Sequence, residues 1–172
     1  NELPAAKQKP PSRLQKRHGA AAVPYTSSDM SKLLNARRIL VITKFRFLGD
    51  NIWATPFLRR LREAARDARI TLLSGPAIPT LLAGCPYVDD MMGHDNYGSR
   101  RIRASFALAR QLRGDKYDTV FLLNRSIHSA LVSVVARIPN RVGFSTEHRG
   151  PFLTVPVKFD WSKPERLNSM DL

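Results

Sequence analysis

One cysteine, Cys85, is all that the 172-residue chain carries. An intramolecular disulfide and a cysteine-based zinc site are excluded, and a reducing compartment fits. In Ala83-Gly84-Cys85-Pro86 a small buried side chain is a simpler reading than a nucleophile. Also missing is an apolar run of about 18 residues, the length a helix needs to span a bilayer. Ala20–Val23 is too short for the apolar region of a secretory signal. No Gly-x-Gly-x-x-Gly follows the first strand and no Gly-x-x-x-x-Gly-Lys-Ser/Thr occurs, so the usual nicotinamide and nucleoside-triphosphate readings lose their main support. His94, His18 and His148 have no partner at metal-ligand spacing, and no His/Asp/Glu cluster argues for a metal, so no cofactor is expected.

Acids are in short supply: 14 against 28 lysines and arginines, a net charge of +14. Residues 1–38 hold eight of the basic side chains and two acids, so both this stretch and the rest of the chain are basic. Attraction to polyanions follows, whether nucleic acid, acidic lipid headgroups or phosphorylated sugars. Residues 1–35 are rich in Pro, Lys, Arg, Ala and Ser without an apolar period, and are expected to form a disordered basic arm.

From Arg38 onward strands and helices alternate. Strands are expected at Ile39–Thr43, Arg69–Leu73, Val88–Met92, Thr119–Leu123 and, as the last, Arg141–Phe144. Helices are expected at about 51–65, 78–83, 99–113 and 126–138. Pro56 kinks the first of these or marks its true start after Thr55. The helix at 99–113 carries apolar residues at Ile102, Phe106, Leu108, Ala109 and Leu112 behind a strongly basic first turn, and Trp53 is read as packing in the first helix. The order predicts an α/β domain over 36–160: a Rossmann-like, doubly wound, mostly parallel sheet.

The first strand runs into Lys44-Phe45-Arg46-Phe47-Leu48-Gly49-Asp50 and then a helical apolar pattern. Open α/β sheets bind ligands in the crevice at the carboxyl ends of their strands, which is where this loop falls. Spacing alone favours Asp50 as a helix N-cap. Its second reading is a base facing an anionic substrate, with Lys44 and Arg46 as anion partners. Gly49 is read as permitting a tight turn before the helix.

The same loop, followed by Thr55-Pro56-Phe57-Leu58-Arg59-Arg60-Leu61-Arg62, resembles the start of the heptosyltransferase family, glycosyltransferase family 9. Three further stretches agree in order and approximate spacing. They are Ala68–Leu73 with Pro86-Tyr87-Val88-Asp89; Lys116-Tyr117-Asp118 running into Leu123–Ser126 and Ser129-Ala130-Leu131; and Ile138–Phe144. The resemblance covers roughly 38–157 and implies the amino-terminal, acceptor-side half of a GT-B fold, in which two Rossmann-like halves face each other. It implies inverting transfer of a heptose or similar sugar from a nucleotide-sugar such as ADP-heptose to a lipopolysaccharide inner-core or related anionic glycan, without a metal. Asp50 matches the family's proposed general base. Well-known members carry small hydroxyl residues where this chain has Arg46 and Phe47, so a donor phosphate would be met by charge instead. Nothing after Trp161 resembles a second half. Residues 161–172 are therefore expected to be a polar tail with the donor domain absent, and the isolated half to be inactive unless a separate chain supplies the donor side.

Arg100, Arg101 and Arg103 open a helix against its dipole, which invites an acceptor phosphate or carboxylate; the plainer reading is a solvated basic turn. Arg125 and Ser126 follow the central strand, with capping as Ser126's main job. Arg141 and Arg149 flank the strand at 141–144 as partners for acceptor phosphates or the membrane surface. His128 is read as a packed or solvated histidine rather than a sugar ligand. The implied location is cytoplasmic, peripheral on the inner face of the bacterial inner membrane. The competing class is a non-catalytic basic module for nucleic acid or anionic membrane. No helix-turn-helix, RNA-recognition or zinc pattern supports the nucleic-acid version.

Overall fold

The computed structural model describes residues 35–43, 48–94, 101–163, 168 and 172. The arm at 1–34 lies outside them, as do Lys44, Arg46, Arg100 and the side chain of Arg101. Six strands form one all-parallel sheet: β1 Arg38–Ile42, β2 Arg69–Ser74, β3 Asp90–Gly93, β4 Thr119–Leu122, β5 Asn140–Phe144 and β6 Val155–Val157. Their spatial order is β3-β2-β1-β4-β5-β6, so the chain winds outward in one direction from β1 and in the other from β4. The topological switch point, where such sheets open a ligand crevice, lies between β1 and β4.

The central strands are unbroken apolar runs because both faces are covered. Ile39, Leu40, Val41, Ile42, Val120 and Leu122 are each at most 1% exposed. Helix α1 (Leu48–Trp53) and helix α2 (Thr55–Ala64) follow β1. Pro56 sits in the first turn of α2, where its missing N–H costs nothing, so one expected helix is two, divided at Ala54. Phe57, Leu58 and Leu61 of α2, with Ile78 of the short helix α3 (Ile78–Leu81), pack against Ile39, Val41 and Phe121 on one face. Phe57 meets Phe121 edge-on at 5.4 Å. The other face is covered by α4 (Arg101–Gly114) and α5 (Ile127–Val135), through Leu108, Leu112, Ala130 and Val132.

Two expectations are corrected, the place of the last strand and the packing of Trp53. Arg141–Phe144 is not the last strand, since β6 pairs with β5 from Val142↔Val155 to Phe144↔Val157. Ile102 and Phe106 are 74% and 62% exposed, because the core-facing side of α4 is set by Leu108, Ala109 and Leu112. Trp53 is exposed rather than packed. Asn168, which the sequence assigns to the tail, is fully buried: its Oδ1 accepts from Asp160 N at 2.8 Å and its Nδ2 donates to Asp160 O at 2.9 Å.

The amino-terminal edge of the sheet is tied by acids. Asp118 Oδ2 accepts from Arg37 N (2.8 Å) and Arg38 N (2.9 Å), fixing the start of β1 against β4. Asp89 Oδ2 accepts from Ile70 N at 2.7 Å and pairs with Arg62. Arg69 holds Asp90 through two bonds of 2.6 and 3.0 Å, which lowers the Asp90 carboxyl pKa. Two of the acids in the motifs, Asp89 and Asp118, therefore work at the end of the sheet away from the crevice.

Candidate functional site at the carboxyl edge

The carboxyl ends of β1 and β4 meet at the switch point, and buried polar side chains join the residues that follow them. Thr43 Oγ1 donates to Asn51 Oδ1 at 2.5 Å, anchoring α1 to the end of β1. Asn124 Nδ2 donates to Thr43 O at 3.1 Å and to Ser129 Oγ at 2.9 Å, bridging from the β4 loop to the β1 loop and to α5. Asn124 Oδ1 accepts from Ser126 N at 3.2 Å, which turns the chain into α5. Thr43, Asn51, Asn124 and Ser129 are all buried, so each unmade bond would carry the full desolvation cost of its group.

Asp50 is the residue beside this anchor. It lies in the first turn of α1, which begins at Leu48, so it is not the N-cap that spacing suggests. An acid in a first turn still meets the positive end of the helix dipole. Asp50 is half-buried at the mouth of the crevice, next in sequence to the fully buried Asn51. Gly49 is also helical, without a left-handed φ, and a Cβ there would meet none of the described residues within 4 Å. The tight-turn explanation for this glycine is therefore corrected: it is a helical residue that places no side chain beside Asp50.

From the β4 side come Arg125 and Ser126, both half-buried. The Arg125 guanidinium lies over the rings of Phe159 at 5.0 Å and Trp161 at 5.2 Å, which orients it along an aromatic wall. Phe159 in turn packs edge-on against Phe144 at 5.1 Å and Trp161 at 4.8 Å. Ser126 occupies the N-cap position of α5 with extended backbone but makes no side-chain cap bond, so the capping role expected of its hydroxyl is corrected.

Beneath this wall lies Arg149, fully buried. Its Nη1 donates to Asn124 O at 2.6 Å and its Nε donates to Phe144 O, so one guanidinium ties the carboxyl ends of β4 and β5. Nη2 is buried without a hydrogen-bond partner among the described residues. Burial pushes the Arg149 pKa down to about 10, the neighbouring Arg125 charge adds to the fall, and Glu147 opposes it. Arg149 thus holds the crevice floor and does not reach phosphates at the surface.

The other basic candidates separate. Arg141 stands near the amino end of β5, where Nε donates to Phe152 O (2.7 Å) and Nη1 to Ile138 O (2.5 Å), so the fold uses it to tie the segment before β5 to the turn before β6 and does not bring it to Asp50. Arg103 is exposed on α4. His128 is hydrogen-bonded to Ser105 across α4 and α5, the packed reading. The crevice therefore gathers Asp50, Gly49, Arg125 and Ser126. Sequence reasoning missed Asn51, Asn124, Phe159 and Trp161; the Asn-Arg-Ser step straight after an apolar strand was the one available signal.

The arrangement offers a carboxylate, an oriented cation and an aromatic wall along one open edge. That suits a hydroxylated, anionic ligand approaching a proton acceptor. Among the described residues no group of three or more His, Cys, Asp or Glu stands together as metal ligands would. Nor is any described helix long and apolar enough to cross a membrane.

Comparison with known proteins gives a consistent result. Residues 105–169 match the model of glycosyltransferase family 9 (heptosyltransferase). Lipopolysaccharide heptosyltransferase 2 of Salmonella typhimurium is 30% identical over 116 residues, 65% of this chain and 32% of that protein. Its Escherichia coli counterpart is 31% identical over the same shares. The crystal structure of a family 9 glycosyl transferase from Veillonella parvula superposes with a TM-score of 0.70 at 25% identity, covering 78% of this chain and 39% of that one. The E. coli ADP-heptose LPS heptosyltransferase II gives 0.68 at 26%, covering 77% and 39%. The chain spans about a third of the length of the curated relatives it matches. Its sheet is a Rossmann-like half of the GT-B arrangement seen in these neighbours.

Proposed function

We propose, on the premise that this chain is related to glycosyltransferase family 9 over part of that family's length, that it forms the acceptor side of an inverting sugar transferase. The donor is a nucleotide-activated heptose or similar sugar. The acceptor is a hydroxyl of a lipopolysaccharide inner core or related anionic glycan. The observation that carries the reading is Asp50 in the first turn of the helix after β1, fastened through Asn51 at the switch point of a parallel sheet. The Asp50 carboxylate takes the proton of the attacking hydroxyl. The hydroxyl oxygen bonds to the anomeric carbon as its bond to the diphosphate breaks, with inversion. Arg125 and Ser126 hold acceptor groups against the Phe159–Trp161 wall. With no side chain at Gly49, the sugar ring can approach the carboxylate.

Lys44 and Arg46, between β1 and α1 and outside the described residues, keep their proposed role as partners for donor or acceptor phosphates. No resident cofactor enters this scheme, since basic side chains meet the leaving diphosphate. The donor side comes from a partner α/β half, in the same polypeptide or a separate one, and the 172 residues alone bind acceptor without turnover. The working location is the cytoplasmic face of the inner membrane, where a lipid-anchored acceptor would be presented. The test is turnover of ADP-heptose with a phosphorylated inner-core acceptor, in the longer polypeptide that supplies a donor half. Asp50→Asn should cut kcat at least about a hundredfold with acceptor affinity nearly unchanged. Near-normal kcat would remove Asp50 from the role.

A further inference from the structure

Helices α4 and α5 lie side by side on one face of the sheet, hydrogen-bonded through Ser105 and His128. Their inner sides are used up in the core, yet their outer sides are not polar. On α5, Ile127, Leu131, Val134 and Val135 stand at i, i+4, i+7 and i+8, one solvent-facing stripe, and each is between 37% and 47% exposed. On α4, Ile102 and Phe106 are one turn apart and more exposed still. Arg103, Arg110 and Arg113 of α4 and Arg137 just past α5 are exposed beside them. Residues 101–114 and 126–138 together hold five arginines and not one Asp or Glu.

Charge decides what covers this face. A second copy docked by a two-fold axis would set arginine against arginine, with no acid on either face to pair them. Nucleic acid would use the arginines and leave the Ile127–Val135 stripe in water. We infer that the outer face of α4 and α5 is a docking surface for an anionic lipid bilayer. The apolar side chains enter the headgroup–acyl boundary and the arginines remain among the phosphates. The inference deepens the proposed location by naming the surface that makes the contact.

The test is co-sedimentation of the chain with vesicles of phosphatidylglycerol mixed with phosphatidylcholine, and with phosphatidylcholine alone. The expected result is binding to the mixed vesicles and at least about tenfold weaker binding to the zwitterionic ones. Ile102→Ser with Phe106→Ser, and separately Leu131→Ser with Val135→Ser, leave the net charge unchanged. Each pair should weaken binding to the anionic vesicles at least about tenfold while the circular dichroism spectrum is retained. Because residues 1–38 are also basic, wild-type affinity in both serine pairs would assign the attraction to charge alone and overturn the inference. Sedimentation equilibrium showing a wild-type dimer that either serine pair splits would overturn it in favour of a self-interface. No sugar is present in these assays, so failure here leaves the transferase reading standing, and a failed turnover test leaves this surface standing.

Discussion

Replacing Arg149 by methionine removes a guanidinium while keeping most of its buried aliphatic volume. Two carbonyls, Phe144 O and Asn124 O, then lose their donor inside the protein. Each buried, unsatisfied group costs about 1–3 kcal/mol, so roughly 4 kcal/mol is lost for the pair. Against this, the native state no longer holds a buried cation. The fall of the Arg149 pKa to about 10 corresponds to a cost of about 3 kcal/mol that methionine relieves. Arg149→Met should therefore destabilise by only about 1 kcal/mol. Arg149→Lys keeps the buried charge but cannot span both carbonyls with a rigid fork, so it should cost about 3 kcal/mol. Urea unfolding reads the difference: with a slope of about 2 kcal/mol per molar, the midpoints should fall by about 0.5 M and about 1.5 M. If lysine proves the milder substitution, the account of Arg149 as a buried clamp, whose charge is a cost rather than an asset, is refuted.

Other positions give independent checks. Gly49→Ala should raise stability by about 0.5–1 kcal/mol, because the residue is helical and no described residue lies within 4 Å of the Cβ position, and thermal unfolding would show a loss instead if the glycine were there for a turn. Asp118→Ala strips the acceptor from two backbone N–H groups and should cost about 1–3 kcal/mol, while Asp118→Asn retains an oxygen and should recover part of it in the same urea assay. Folding lowers the Asp90 carboxyl pKa through Arg69. Such a group stabilises above its unfolded-state pKa and loses that contribution as pH falls through its folded-state value. Asp90→Asn should thus make the stability curve shallower below about pH 4, by a small amount because the pair is exposed; an unchanged acid limb would show that the pair contributes nothing.

The sheet was legible because β1, β2 and β4 are buried on both faces and leave uninterrupted apolar runs between turn residues. β6 was not, because Val155-Pro156-Val157 is three residues long with a proline at its centre, a pattern that sequence reading demotes. On α4 the apolar residues cover more than one side of the helix, and periodicity could not say that Ile102 and Phe106 face outward. The acid at position 50 was legible as the residue at the crevice, but its place within the helix depended on where α1 begins. Arg149 was the least readable: a fully buried arginine is rare, and its acceptors are carbonyls of Asn124, just past β4, and Phe144, at the end of β5. For the same reason Arg141 read as a ligand, although its donors are occupied by nearby main-chain oxygens.

The most direct test of the central claim is an NMR titration of the isotope-labelled chain with a phosphorylated inner-core oligosaccharide, with ADP-heptose run in parallel. Saturable shifts are expected with the oligosaccharide at Gly49, Asp50, Asn51, Asn124, Arg125 and Ser126, and none at Asp118 or Arg141 on the opposite edge. An absence of saturable shifts at the carboxyl edge, or shifts confined to the amino edge, would contradict that claim.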